Sequence, residues 1–381
     1  MMQPAAHMED IPPSGIRRYF ELAEEEADVI SLGVGEPDFA APWPVRDAAI
    51  ASLERGRTSY TTNRGLRELR EAIARYVADR FDLSYAADTE ILVTTGASEA
   101  VDLALRALVE PDAVVGIAEP TYLSYEPIVE LAGGEPLSIP TQQKDEFRLT
   151  AEALSSAGAD AADILVMCYP NNPTGAILTP GDLQEVAAFA REHDITIVSD
   201  EIYAELTYDD DHTSIATLPG MRERTVVING FSKAFAMTGL RLGFAMAPAA
   251  VTDAMNRIHQ YTMLSAPTTA QYAALEGLER CLDSVESMRT QYNRRRRFVL
   301  SRFEEMGIRC FEARGAFYVF PECPMADEDA FVEGLLADEQ VAVVPGRVFG
   351  AAGEGHLRVS YATGMDQLRE AMDRIERYVS D

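Results

Sequence analysis

Lys233 stands in the stretch NGFSKAFAMTGLRLGF (229–244), and the 381-residue chain holds only one other lysine, Lys144. Basic residues number 33 in all, so arginine carries nearly all of the positive charge. A primary amine can do what a guanidinium cannot: deprotonate and form an imine with an aldehyde. Lys233 is therefore a candidate nucleophile toward a carbonyl. If that aldehyde carries a phosphate, an anion cradle is needed as well. Ser232 offers a hydroxyl, and Arg241 offers a guanidinium suited to bidentate phosphate contact. The turn Gly96-Ala97-Ser98 leads into a helical pattern whose amino end presents free N–H groups.

SDEIY (199–203) adds a carboxylate, Asp200, at the end of a strongly apolar run. Such a group is costly unless a cation pairs with it. The protonated ring nitrogen of pyridoxal phosphate is a cation of that kind, and the protonated ring is an electron sink for a carbanion. Tyr203 and Asn172 could donate to the phenolate oxygen of the same ring.

These residues must be brought together by the fold. Short apolar runs at 91–96, 113–120, 162–170, 195–203, 225–230 and 243–248 read as buried strands. Between them lie amphipathic stretches at 98–109 and 179–194, the second opened by a Thr cap and a Pro. This alternation predicts an α/β fold with a mostly parallel central sheet flanked by helices. Ligands of such sheets sit at the carboxyl ends of the strands, where GASEA, NNPTG, SDEIY and NGFSK all fall. From about residue 280 the pattern changes to long helices at 283–307 and 365–379 with strand-like RGAFYVFP and HLRVSYA between them. The expected organisation is a large unit, 33–280, and a smaller α+β unit made of 11–32 plus 281–381.

With 62 acidic residues the net charge is −29, adverse to nucleic acid and to anionic membranes. Many acids combined with two lysines suggest a surface made for high salt, as in a halophile's cytoplasmic protein. Arg294–Arg297 reads as a solvated helix face. The four cysteines show no metal spacing and the five histidines no catalytic or metal pattern, so both sets are read as structural, with no metal expected. Neither a secretory leader nor an 18-residue apolar span is evident.

Taken together, SLGVGEPDF (31–39), SYTTNRGLRELREAIA (59–74), VTTGASEA (93–100), EPTYLSY (119–125), YPNNPTGA (169–176), SDEIY, GFSKAFAMTGLRLG (230–243), RGAFYVFP (314–321) and VVPGRVFGAAGEGHLRVSYAT (343–363) resemble the fold-type-I, class I/II pyridoxal-phosphate aminotransferases, nearly end to end. The likeness is greatest to archaeal enzymes acting on aromatic amino acids or aspartate. It implies that Lys233 binds the aldehyde and then acts as a base, and that Asp200 holds the ring nitrogen. Tyr203 and Asn172 would sit at the ring oxygen, and Tyr122 would stack on the ring. The turn Gly96, Ala97, Ser98, with Ser232 and Arg241, would hold the phosphate, joined by Tyr60 from a neighbouring subunit of a homodimer. Arg358 would clamp the substrate α-carboxylate beside Gly35, with Tyr122 and Asn172 also facing the substrate.

Many relatives carry a hydroxyl residue where this chain has Gly230, which removes one phosphate contact. The implied reaction moves an α-amino group from an aromatic amino acid, aspartate or glutamate to a 2-oxo acid such as 2-oxoglutarate, in two half-reactions. A carbon–sulfur β-lyase on the same fold begins with the same Cα deprotonation and shares these motifs. A transcription regulator of this fold would need a DNA-binding module ahead of residue 33 and is not expected.

Overall fold

The computed structural model describes residues 4–5, 8, 11, 13–16, 19 and 28–380. Of the expected segment 11–32, half therefore lies outside the described residues; its end, β1 (Ile30–Ser31), pairs in parallel with β10 (Val341–Ala342).

Seven strands form the central sheet: β2 (Ile91–Thr94), β3 (Val114–Glu119), β4 (Glu135–Pro140), β5 (Ile164–Cys168), β6 (Thr196–Asp200), β7 (Thr225–Gly230) and β8 (Gly243–Met246). Their order is β2-β8-β7-β6-β5-β3-β4, with β8 antiparallel to both neighbours and the pairs β7–β6–β5–β3–β4 all parallel. Strands β5, β6 and β7 are buried nearly throughout because helices cover both faces of the sheet. Each of the six expected strands is present.

β4 escapes the periodicity argument for a physical reason. It is an edge strand, EPLSIP, half of it exposed, with prolines at its second and last positions, which are tolerated where no neighbour needs the N–H.

The helices that pack on this sheet are α1 (Trp43–Glu54), α2 (Arg67–Phe81), α3 (Gly96–Leu108), α4 (Tyr125–Ala132), α5 (Ala151–Ser156), α6 (Pro180–Glu192), α7 (Ala249–Thr262) and α8 (Thr268–Arg280). α3 begins two residues before the expected start, so Gly96–Ser98 is the first helical turn itself. α6 carries a full capping box: the Thr179 hydroxyl accepts from the Asp182 N–H, and the Asp182 carboxylate accepts from the Thr179 N–H. Leu183, Val186 and Ala190 face inward as their spacing requires.

Beyond α8 come α9 (Leu282–Glu305), β9 (Tyr318–Val319), α10 (Glu328–Glu339), β11 (Val344–Pro345), β12 (Leu357–Ser360) and α11 (Met365–Ser380). β11, β12 and β9 make a small antiparallel sheet. RGAFYVFP yields only a two-residue strand, because Ala316 turns the chain with φ +57°.

Arg294–Arg297 departs from the expected solvated face. Arg295 and Arg296 are buried: Arg295 makes a two-pronged bond to Asp38 at 2.7 and 2.9 Å, while Arg296 donates to Asp209 and, at 2.8 Å, to the Ala313 carbonyl. A 24-residue helix packed on one side must turn part of any four-residue run inward, and here acceptors wait for it.

Candidate active site

The carboxyl ends of β5, β6 and β7 and the amino end of α3 open on one cavity of about 660 Å³. Eleven of the thirteen residues expected at the site line it: Gly35, Ala97, Ser98, Tyr122, Asn172, Asp200, Tyr203, Ser232, Lys233, Arg241 and Arg358. Gly96 adjoins it through Arg241. Tyr60 does not reach this chain's cavity and is 77% exposed.

Lys233 follows β7, and its Nζ donates to the Gly35 carbonyl at 2.7 Å. Burial lowers its pKa to about 8; Glu36 opposes that shift, and the guanidiniums of Arg358 and Arg241 add to it. About a tenth of this amine is consequently uncharged at pH 7, and that fraction, the state a nucleophile or base requires, grows as pH rises toward 8.

Asp200, the last residue of β6, is buried. Burial pushes its pKa up to about 6 against hydrogen bonds from the Tyr125 hydroxyl, at 2.7 Å to Oδ2, and the Ile202 N–H, at 3.1 Å to Oδ1. Among the described residues no guanidinium or ammonium pairs with it. A carboxylate so placed calls for a cation from the cavity side.

On the α3 side, Gly96 has φ +81°, a conformation suited to glycine, and a Cβ there would lie 2.6 Å from Arg241 Nη2. The following amides of Ala97 and Ser98 belong to the first turn, whose N–H groups have no partner within the helix. Arg241 itself sits at φ +53°, Nη1 donates to the Thr238 carbonyl at 3.0 Å, and it makes no carboxylate ion pair among the described residues. Ser232 lines the same cavity, and together these donors could receive an anion. Gly230 could not carry a hydroxyl side chain without movement, since a Cβ would stand 2.9 Å from the Gly243 Cα.

At the other end Arg358, on β12, is buried and held by Asn172 Oδ1 at 3.0 Å and by the Gly33 carbonyl. Its guanidinium carbon lies 4.7 Å from the ring centres of both Tyr318 and Phe349. Arg358 Nε is buried with no partner among the described residues. Asn172 thus spends its carbonyl oxygen on Arg358, which leaves its NH₂ as the group it can offer a ligand.

Among the lining residues that sequence reasoning did not select are Tyr125, Cys168, Tyr318 and Glu36, which bring polar or ionisable groups to the cavity. Tyr318 bonds to Tyr203 hydroxyl to hydroxyl at 3.0 Å. Both Tyr125 and Tyr318 stand within quoted motifs, EPTYLSY and RGAFYVFP, so their presence was visible while their partners were not. Nothing in residue spacing links position 125 to 200 or 318 to 203.

The residues fit pyridoxal phosphate on three independent counts. Among the described residues a buried carboxylate lacks a cation, a guanidinium with no carboxylate partner stands against a helix amino end, and a half-buried amine of lowered pKa lies in the same cavity. Among the described residues no cluster of metal-ligating side chains occurs, and no helix is long and apolar enough to cross a membrane.

Comparison with known proteins agrees. The model of the family described as aminotransferase class I and II matches residues 27–375. An aspartate aminotransferase of Pyrococcus abyssi is 44% identical over 376 residues, covering 97% of each chain. Aromatic-amino-acid aminotransferase 2 of Thermococcus litoralis is 43% identical over 379 residues, covering 98% of this chain and 97% of that one. The crystal structure of the aromatic aminotransferase from Pyrococcus horikoshii superposes with a TM-score of 0.90 at 44% identity, covering 95% of this chain and 98% of that one.

Proposed function

The chain belongs to the class I and II aminotransferases, and from that premise we propose that it transfers the α-amino group of aromatic amino acids, aspartate or glutamate to 2-oxoglutarate or a similar 2-oxo acid. It is a pyridoxal-phosphate-dependent aminotransferase; the donor range and the roles of individual residues are our reading. The observation that carries it is the placing of a neutralisable amine, Lys233, between two guanidiniums that serve different anions, Arg241 toward phosphate and Arg358 toward a carboxylate.

When bound, the cofactor supplies a carbonyl that condenses with amines and a protonated ring that draws electrons from the substrate Cα. The protein's residues do the rest. Asp200 keeps the proton on the ring nitrogen. Tyr203 and the Asn172 amide donate to the ring oxygen, and Tyr122 covers one ring face. Ser98, Ser232, Arg241 and the first-turn amides of α3 fix the phosphate, so the reacting carbon is held near Lys233. Arg358 grips the α-carboxylate in a two-pronged bond, its unpartnered Nε marking unused donor capacity, and so directs the Cα–H bond toward Lys233. Lys233 Nζ would take the proton from the substrate Cα in the first half-reaction and give a proton to the new Cα in the second.

Ile16, Val34, Tyr122 and Leu123 line the same cavity, an apolar wall suited to an aromatic side chain. Arg241 and Arg358 are the only guanidiniums among the described lining residues.

We read the chain as a homodimer in which Tyr60 reaches the partner's phosphate. Support comes from Trp43, Ile50 and Leu53, exposed on α1 at 60, 49 and 57%, and from exposed Tyr261 and Met263, an apolar extent that an isolated chain would leave wet. Residues 33–280 then form the cofactor-binding unit, with 11–32 and 281–381 as the smaller one. The acidic surface suits cytoplasm rich in potassium salts.

The test is the visible spectrum of the purified holoenzyme in concentrated KCl, with single amino acids added in turn. Phenylalanine, tyrosine, aspartate and glutamate are expected to shift the band, and 2-oxoglutarate to restore it. Release of pyruvate and ammonia without an acceptor would overturn transamination.

A further inference from the structure

His259, on α7, is fully buried, and its Nδ1 lies 2.7 Å from Glu99 Oε1. The second carboxylate oxygen, Glu99 Oε2, accepts the Thr95 N–H at 2.5 Å. Thr95 immediately precedes the Gly96–Ser98 turn. A continuous path therefore runs from a buried imidazole, through a carboxylate, to the backbone that sets the anion-binding corner. His259 Nε2 is buried without a partner, so the contact with Glu99 is the one polar bond that fixes this ring among the described residues.

The presence of Glu99 needs an explanation. A carboxylate in the first turn suits the helix dipole, yet the same helix end is where the cofactor's phosphate dianion would bind, and two anions there repel. A largely buried carboxylate without a partner would also be costly in its own right. His259 answers the second difficulty, because its N–H satisfies Glu99 while the ring stays outside the cavity. The ring is absent from the cavity lining, so it acts through Glu99 and not on the cofactor.

We infer that His259 is a positioning residue for the cofactor phosphate: it holds Glu99, Glu99 holds the Thr95 amide, and the amide holds the Gly96–Ser98 turn in the geometry that receives the dianion. This rests on the assignment of the phosphate to that turn.

The experiment compares dissociation constants of the apoenzyme for pyridoxal phosphate and for pyridoxal, which lacks the phosphate. His259→Leu is expected to weaken pyridoxal phosphate by at least about tenfold, the scale of one lost hydrogen bond to a charged group. Pyridoxal should stay within about twofold, and His259→Gln, which can still donate to Glu99, should recover most of the loss. Equal weakening of both ligands, or of neither, overturns the inference and leaves the cofactor assignment intact. Wild-type apoenzyme that binds neither ligand overturns the assignment instead. Should the Leu variant not fold, histidine NMR on a chain with His259 as its sole histidine decides: inorganic phosphate must shift its ring signals, and an unmoved signal refutes the role.

Discussion

The Tyr125 hydroxyl donates to Asp200 Oδ2 across 2.7 Å, from the first residue of α4 to the last residue of β6, and both groups are buried. A neutral donor on this carboxylate favours its ionised form, and the ionised form is what keeps a ring nitrogen protonated. Tyr125→Phe removes the donor and leaves the packing. A hydrogen bond to a charged group is worth about 1.5–3 kcal/mol, so kcat/KM should fall by roughly tenfold or more. The acid limb of its pH profile should move upward, because Asp200 becomes harder to ionise. An unshifted profile would reduce Tyr125 to packing.

Lys233→Arg keeps the charge and discards the amine. Turnover should fall by at least ~10²-fold, since a positioned acid–base group alone supplies ~10²–10⁴. Single-turnover kinetics with a good donor measure this, and turnover within tenfold of wild type would contradict the role.

Arg358→Lys keeps a cation but loses the planar fork. The substrate α-carboxylate then has one donor where two were matched, so kcat/KM should drop by about 10²-fold, with KM for both amino acid and 2-oxo acid raised. Cofactor affinity should be unchanged, as read from titration of the apoenzyme with pyridoxal phosphate.

How much of this was legible in the sequence follows from what each feature depends on. β5, β6 and β7 were readable because strands covered on both faces are apolar runs, and the chemistry-bearing residues sit directly at or after their carboxyl ends. Lys233 stood out by rarity. The Tyr125–Asp200, Tyr203–Tyr318 and His259–Glu99 contacts were not readable, because each joins positions 75, 115 and 160 residues apart with no shared periodicity. Arg296 was misread for the same reason: whether an arginine is solvated depends on Asp209 and the Ala313 carbonyl, which only the folded chain brings to it.

That misreading makes a stability prediction. Arg296→Ala deletes a buried side chain and leaves the Ala313 carbonyl unsatisfied, so it should cost about 2–4 kcal/mol. Arg297→Ala, next in sequence but exposed, should stay within about 0.5 kcal/mol. Guanidinium chloride midpoints of the two variants would compare them, and equal midpoints would return the whole run to a solvated face.

The apoenzyme should carry a pH signature of its two strained groups. Folding lowers the Lys233 pKa from 10.5 to about 8, so the folded state disfavours the charged amine. The stability contribution of this group is complete above about 10.5 and is lost as pH falls through 8. Folding raises the Asp200 pKa from 3.8 to about 6, so its contribution is complete below 3.8 and is lost as pH rises through 6. Between pH 6 and 8 both groups are charged and both oppose folding. Lys233→Met and Asp200→Asn should therefore each stabilise the apoenzyme at pH 7, by no more than about 3.5 kcal/mol at 1.36 kcal/mol per pKa unit. The Met advantage should shrink as pH rises past 8, and the Asn advantage as pH falls past 6. Thermal unfolding of the three apoenzymes from pH 5 to 10 measures both trends. An advantage that does not vary with pH would mean that burial of charge is not what strains this cavity.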